Sequence, residues 1–258
     1  MHNSHEIFKS FNSIWEGGYF EGDCLAPLAR STYGQMGFIS VLHATYLRCI
    51  KPYVNSNTVV LEIGPGRGTW TKAMLQAKEI HVMDALSAEH NSFHEFVGRS
   101  QHINYHHVDD FSCNGIPDDH FDYMFSFGCL CHLPFSCVSE YAMNLYPKLK
   151  SGSNCFWMIA DYAKVNYSID NLNVTSIYRN LFPRDRKHFL INSILDALSF
   201  KQQPKKLQPD KDLEPQPMRW FNSGIQDTVK MLSDIGYTIL DSDVGTCLRD
   251  PIIHFVKP

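Results

Sequence analysis

The sequence has no excess of positive charge, since 23 lysines and arginines stand against 27 aspartates and glutamates, with a formal net charge of −4. Without an excess of lysine and arginine the chain is poorly suited to bind a phosphate backbone, which argues against nucleic acid as a partner. Charged residues are scarce, at 19%, while 44% are apolar, and this balance argues against disorder and against a coiled coil. The apolar runs at 58–63 and 121–133 are too short to span a bilayer, and residues 1–7 lack the regions of a signal peptide. These absences predict a globular cytoplasmic protein that binds neither nucleic acid nor membrane.

Eight cysteines are present, but the paired C-x-x-C spacing of a structural zinc site is absent. The nearest approach to a cluster is Cys129-Leu-Cys131-His132 with Cys137. A cytosolic chain of 258 residues also needs no disulfide framework. The cysteines are therefore expected to be free thiols, buried or lining a pocket, and no metal site is predicted.

The central part of the chain alternates short apolar runs with helical patterns, which is typical of βαβ units and a parallel sheet with helices on both faces. The predicted strands cover residues 58–63, 80–84, 103–108, 121–127, 154–160, 237–242 and 252–256. The predicted helices cover residues 39–50, 69–77, 88–97, 137–149 and 224–235.

Two segments stand outside this alternation. Residues 1–54 form an N-terminal extension to the domain at 55–258. The rhythm breaks again at about 163–218, where apolar spacing predicts helices near 169–181 and 189–198 and a Pro- and Lys-rich loop at 201–217. The chain is therefore expected to be one α/β domain with an N-terminal extension and a helical insertion after strand five.

The most informative segment is VVLEIGPGRGTW at residues 59–70, a buried strand that leads into a glycine turn and a helix. Gly64, Gly66 and Gly68 allow a tight turn and close approach of a ligand. A dinucleotide fingerprint would require G-x-G-x-x-G, and Pro65 removes an amide that could contact an anion. Glu62 precedes the turn, and its carboxylate would repel a pyrophosphate but suit a cationic ligand. The segment therefore favours a ligand with an ammonium group.

Acidic residues also end the next two strands. Asp84 ends the second strand, where a carboxylate can accept hydrogen bonds from both hydroxyls of a ribose. Asp109, Asp110 and Phe111 follow the third strand, where an acid can accept from an exocyclic amine and an aromatic ring can stack on a purine. The spacing does not separate Asp109 from Asp110.

These residues resemble the class I S-adenosylmethionine-dependent methyltransferases, over residues 55–162 by motif and over 222–256 by topology. The resemblance implies a doubly wound, Rossmann-like, seven-stranded and mostly parallel sheet whose last strand is antiparallel. It also implies that S-adenosylmethionine is the methyl donor and that S-adenosylhomocysteine is the product. The methyl acceptor is then expected to be covered by the N-terminal extension, residues 1–54, and by the insertion. The cofactor-binding residues it implies are Glu62, Gly64, Gly66, Gly68, Asp84, Asp109, Asp110, Phe111 and Ser126.

Methyl transfer to a hydroxyl requires removal of its proton, and two residues are candidates for this step. His132 follows the fourth strand and is the leading candidate for the general base, with shaping of its loop as the alternative. Asp161 follows the fifth strand and could be a base, a metal ligand or a substrate contact, or could cap a turn. A metal ion that binds two neighbouring hydroxyls of a sugar is the alternative to a general base.

The acceptor is indicated only by the run WEGGYFEGD at residues 15–23, in which aromatic rings alternate with carboxylates. Trp15, Tyr19 and Glu21 are the predicted substrate contacts, unless the run is an arm packed on the sheet. This run and residues 141–161 resemble, more loosely, bacterial sugar O-methyltransferases. The predicted reaction is therefore O-methylation of a sugar or similar small polar metabolite.

Several alternatives stay open. The enzyme could methylate nitrogen, or an oxygen of a non-sugar molecule such as a phosphate ester. A non-catalytic module that only binds S-adenosylmethionine is the alternative from another class, and Glu62 and Pro65 argue against an NAD-dependent oxidoreductase. The oligomeric state is also open, with a homodimer among the options.

Overall fold

The computed structural model describes residue 8 and residues 17–18, 22–27, 40–171, 220–247 and 250–258. Its strands are β1 Val59–Ile63, β2 Glu79–Asp84, β3 Ile103–His107, β4 Phe121–Ser126, β5 Leu149–Met158, β6 Thr238–Asp241 and β7 Ile252–Val256. Its α-helices are α1 Val41–Thr45, α2 Thr69–Ala73, α3 Phe93–Val97, α4 Phe135–Leu145, α5 Tyr162–Asn171 and α6 Ile225–Ile235.

The strands form one sheet in the order β3-β2-β1-β4-β5-β7-β6. Strands β1 to β5 pair in parallel, and β7 runs antiparallel between β5 and β6. The seven-stranded, mostly parallel sheet with an antiparallel last strand is confirmed. Because the order reverses between β1 and β4, the crevice beyond the carboxyl ends of these two strands is the expected ligand site of an open α/β sheet.

Both faces of the sheet are covered, so the central strands β1 and β4 are mostly apolar and almost entirely buried. All five residues of β1 are buried. Val59, Leu61 and Ile63 pack into the core layer that also contains α4 and α6, while Val60 packs into the layer that contains α2 and α3. This period of two fixes which side of β1 carries Glu62, which faces helix α2 through Thr71.

Outside the insertion, most predicted elements agree with the structure to within a residue, but four boundaries differ from it by four or five residues. The helix predicted at 69–77 ends at Ala73, where a tighter turn follows, and the helix predicted at 88–97 begins only at Phe93. Ser92, with a left-handed backbone (φ 49°), separates that helix from the turns before it. The helix predicted at 137–149 ends at Leu145, before a 3₁₀ turn that contains Pro147, and β5 begins at Leu149 instead of residue 154.

Helix α1 continues as a π-helical turn over Tyr46–Ile50 and ends at Lys51, before Pro52, as the sequence predicts. All eight cysteines lie among the described residues and are free, buried or half-buried thiols. Most of the insertion predicted at 163–218 lies outside the described residues, as does the 201–217 loop. Within the described ranges, no helix is long and apolar enough to cross a membrane.

Candidate functional site

The glycine turn between β1 and α2 depends on three glycines with positive φ: Gly64 at 69°, Gly66 at 53° and Gly68 at 102°. A side chain on Gly64 would put its Cβ 2.4 Å from Sγ of Cys129, and one on Gly68 would meet Cγ2 of Val97 at 2.2 Å. Gly64 and Gly68 are therefore required by packing as well as by backbone conformation. Gly66 lies at the partly exposed middle of the turn.

Glu62 lies beneath this turn, with only 1% of its surface exposed. Its Oε2 accepts a hydrogen bond from Oγ1 of Thr71, in α2, at 2.5 Å. An ionised Glu62 would give this end of β1 a negative electrostatic potential, which would suit a cationic ligand.

Asp84, at the end of β2, reaches across to the glycine turn. Its Oδ2 accepts from the amide of Gly66 at 3.1 Å, and its Oδ1 accepts from the amide of Leu86 at 2.8 Å. Burial raises the pKa of the Asp84 carboxyl, and these two amides, together with Asn91, oppose that rise. An ionised carboxylate has about four lone-pair positions, so these bonds leave acceptor capacity for ligand hydroxyls.

Sequence reasoning missed Asn91, which ties the N-terminal extension to this carboxylate. Asn91 is buried, its Oδ1 accepts from the amide of Gly18 at 3.1 Å, and its Nδ2 donates to the hydroxyl of Tyr105 at 3.0 Å. The Tyr105 hydroxyl donates to the carbonyl of Leu86 at 2.7 Å. Asn91 lies in a turn without periodicity, so no sequence signal identified it. The extension is thus joined at Gly18 to the group that holds Asp84.

The residues after β3 divide into an exposed pair and a buried ring. Asp109 and Asp110 are exposed, and Oδ1 of Asp110 accepts from the amide of Ser112 at 2.8 Å. Phe111 is fully buried, with its ring centroid 4.7 Å from those of Phe8 and Tyr141. The ring of Phe111 has no exposed face in this arrangement, so stacking on a purine stays a prediction that would require this packing to open.

Strand β4 ends at Ser126, whose buried hydroxyl donates to the carbonyl of Ile63 at 3.1 Å and so joins β4 to β1. Cys129 contacts the glycine turn, and burial raises the pKa of its thiol to about 12, so the sulfur is neutral and a weak nucleophile. His132 ends the 3₁₀ turn Leu130–His132 and is half-buried. It lies in the connection that leaves the carboxyl end of β4.

Asp161 follows β5 and is 7% exposed. Its Oδ1 accepts from the amide of Lys164, in α5, at 2.9 Å, and its Oδ2 accepts from the amide of Ile225, in α6, at 2.8 Å. Both oxygens therefore serve the N-termini of helices, whose first amides have no partner within the helix. Of the roles considered for Asp161, this arrangement matches capping.

The fold thus brings the predicted residues at 62–132 and Asp161 to the carboxyl edge of one sheet, with Asp84 in direct contact with the glycine turn. The predicted substrate contacts Trp15, Tyr19 and Glu21 lie outside the described residues. The described part between them, Gly17–Gly18, packs against His90 and Asn91.

A seven-stranded sheet with an antiparallel β7, and an acid followed by G-x-G-x-G after β1, define the class I S-adenosylmethionine-dependent methyltransferases. Residues 39–206 match the family described as methyltransferase domain, and the chain belongs to this family. It is an S-adenosylmethionine-dependent methyltransferase.

Solved structures agree in fold. A methyltransferase dependent on S-adenosylmethionine from Mesorhizobium loti is 14% identical, with a TM-score of 0.52 over 84% of this chain and 98% of the other. The N-methyltransferase NodS from Bradyrhizobium japonicum, in complex with S-adenosylhomocysteine, is 12% identical, with a TM-score of 0.51 over 100% of both chains. At these identities the likeness shows the fold alone. No curated protein matches the sequence.

Proposed function

We propose that this enzyme transfers the methyl group to a hydroxyl oxygen of a sugar or a similar small polar metabolite. The observation that carries this choice is the contrast between the two candidate bases. Asp161 has both oxygens engaged with backbone amides, whereas His132 is half-buried in the connection after β4. A hydroxyl must lose its proton as it attacks, so a histidine at this edge favours an oxygen acceptor.

The residues around the glycine turn fit S-adenosylmethionine by their chemistry. The partly exposed turn at Gly66 allows a ligand to approach the protein backbone closely, and an ionised Glu62 would suit its ammonium group. Asp84 retains acceptor capacity for ribose hydroxyls, and Asp109 or Asp110 is free of the core to meet the adenine amine. Ser126 contributes indirectly, because it fixes β4 against the end of β1.

In the proposed reaction, His132 accepts the proton of the acceptor hydroxyl while that oxygen forms its bond to the methyl carbon. When bound, S-adenosylmethionine supplies an electrophilic methyl group on a positively charged sulfonium. After transfer the sulfur would be a neutral thioether, and the positive charge would reside on the protonated imidazole of His132. Cys129 stays a neutral thiol and does not compete as a nucleophile. Alignment of the oxygen with the carbon–sulfur bond supplies much of the rate.

The N-terminal extension, residues 1–54, is proposed to cover the acceptor together with the insertion near 163–218. Gly17 and Gly18 contact His90 and Asn91, close to Asp84, which supports this position for the extension. The flanking Trp15, Tyr19 and Glu21 would then offer rings to the apolar faces of a sugar and a carboxylate to its hydroxyls.

A methyl-transfer assay on matched acceptors tests the proposal. The purified enzyme is given S-adenosylmethionine with free sugars, nucleotide sugars, amines or phosphate esters, and formation of S-adenosylhomocysteine is followed by mass spectrometry. We expect an O-methyl sugar product, and His132→Asn should reduce kcat roughly 100-fold or more while S-adenosylhomocysteine binds normally.

Three outcomes would contradict the proposal. Methylation of amines alone would support the N-methyltransferase alternative, and normal turnover by His132→Asn would remove this residue as the base. Binding of both S-adenosylmethionine and S-adenosylhomocysteine, without transfer to any acceptor, would indicate a non-catalytic module.

A further inference from the structure

A group of polar side chains lies at the opposite, amino edge of the sheet. Glu79 and His81 are two residues apart at the start of β2, and their side chains therefore lie on the same face. Asn104 and His106 lie on the neighbouring strand β3, and His120 immediately precedes β4. We call these five residues the amino-edge cluster.

Three side chains of this cluster converge on one point. Nε2 of His81 is 2.7 Å from Oε1 of Glu79, and Nε2 of His120 is 3.4 Å from Oε2 of the same carboxylate. One potential ligand atom from each of Glu79, His81 and His120 lies within 4.8 Å of the others. Glu79 and His81 belong to β2, whereas His120 precedes β4 and lies 39 positions after His81 in the sequence, so the fold brings them together.

We propose that Glu79, His81 and His120 bind a divalent transition-metal ion of the zinc type. Metal–ligand distances of about 2.0–2.2 Å in a tetrahedral site place ligand atoms roughly 3.3–3.5 Å apart. The 3.4 Å between His120 and Glu79 matches this spacing, whereas the 2.7 Å between His81 and Glu79 is a hydrogen-bond distance that would lengthen when a metal replaces the proton. Two imidazoles and one carboxylate suit zinc, nickel or copper better than magnesium or calcium, which prefer oxygen. Three protein ligands leave a fourth position for water.

The surroundings of the three ligands match those of a metal site. Nδ1 of His81 is 3.0 Å from Nε2 of His106, so a proton on Nδ1 can be donated to His106 while Nε2 keeps its lone pair for the metal. Nδ2 of Asn104 donates to Oε1 of Glu79 at 3.1 Å and orients the carboxylate. His81 is held rigidly, at 8% side-chain exposure, while Glu79 and His120, at 32% and 33%, leave a path from solvent.

The ion would act on stability and not on methyl transfer. Strand β2 separates Glu79 from Asp84 by five residues, about 16 Å in an extended strand. A metal at the amino edge would fasten β2 to the segment before β4 and would not reach the cofactor turn. The inference therefore stands independently of the proposed acceptor.

Zinc titration of the full-length, tag-free, chelator-treated enzyme tests this proposal. Calorimetry should give one tight zinc ion per chain, Co²⁺ should give the visible absorption of a tetrahedral site, and zinc should raise Tm. Loss of a residue that only hydrogen-bonds to a metal ligand typically lowers metal affinity roughly 10–100-fold. Because His120 is proposed to bind the metal directly, His120→Ala should lower zinc affinity roughly 100-fold or more. His102→Ala is the matched control, since His102 lies at the same edge and bonds to Ser100 instead.

Equal zinc affinity in His120→Ala and His102→Ala would overturn the proposal. Absence of tight zinc binding by the wild-type enzyme would also overturn it, and the amino-edge cluster would then be a hydrogen-bond network only. Glu79→Gln provides a second variant of similar size and should also weaken zinc binding. Binding of S-adenosylhomocysteine to each variant reports folding, and it separates failure of the metal site from failure of the cofactor site.

Discussion

Asp84 has two roles that both depend on its charge. It accepts a hydrogen bond from the amide of Gly66 and so fixes the glycine turn, and it is proposed to accept hydrogen bonds from the ribose hydroxyls of the cofactor. Its burial raises the pKa of the carboxyl, because the charged form loses hydration. The carboxylate is therefore protonated at a higher pH than that of an ordinary aspartate.

Binding of S-adenosylhomocysteine should accordingly weaken on acidification, as the pH falls through this raised pKa. Asp84→Asn should weaken binding at neutral pH by roughly 10–100-fold, since a charged acceptor contributes about 1.5–3 kcal/mol. Its affinity should also lack the acid dependence that Asp84 causes in the wild type. Calorimetry from pH 4 to pH 8 on both proteins measures this difference. If the affinities of the two proteins for S-adenosylhomocysteine differ less than twofold and change with pH in parallel, the ribose is held elsewhere.

At the scale of elements, Asp161 connects two helices that are distant in sequence. One carboxylate caps α5 and α6, and the carbonyl of Ala160 accepts from the amides of Ser223 and Gly224 at 3.0 and 3.1 Å. The end of β5 therefore anchors the chain on both sides of the insertion.

Replacement of this cap should lower stability. Each lost N-cap costs about 1 kcal/mol, so Asp161→Ala should lower the free energy of unfolding by about 2 kcal/mol, and Asp161→Asn should lower it less. Asp227→Ala is the control, because Asp227 is exposed in the first turn of α6. Urea denaturation measures the effect. A stable Asp161→Asn that has lost turnover would instead assign the catalytic base to Asp161.

The strands and the glycine turn were predictable because their signals are local. The period of two and the G-x-G-x-G spacing each lie within about ten residues of sequence. The wrong boundaries arise from conformations that apolar spacing does not encode, such as the left-handed backbone of Ser92 before α3. Strand β5 also continues back to Leu149 through the polar and glycine residues 150–153, where no apolar run marks it.

The roles that sequence could not assign depend on distant partners. Phe111 looks like a ring beside an acidic pair, but its burial is decided by Phe8 and Tyr141, far away in sequence. Asp161 could be identified as a cap only once Ile225, 64 positions later, was known to lie beside it. The amino-edge cluster likewise gives no spacing signal, because Glu79 and His120 are brought together by the strand order.

At the scale of the whole molecule, the sheet separates two kinds of chemistry. The carboxyl edge holds the glycine turn, His132 and the acids at the ends of β1, β2 and β3, while the amino edge holds the amino-edge cluster. Strand β1 is central to the first group, since it positions both Glu62 and the turn at the point where the strand order reverses. The central claim is therefore that the turn at Gly66 holds the cofactor.

Calorimetric titration of S-adenosylhomocysteine into wild-type enzyme, Gly66→Val and Gly152→Val tests this claim most directly. Gly66 and Gly152 both have positive φ, at 53° and 83°, but Gly152 is exposed, with open space around the position of a Cβ. Both variants carry backbone strain, and only Gly66→Val would put a branched side chain where the ligand is expected to lie. We predict one bound ligand per chain for the wild type and Gly152→Val, and none for Gly66→Val. Unchanged affinity in a folded Gly66→Val, or tight NADH binding by a wild type that does not bind S-adenosylhomocysteine, would contradict the account.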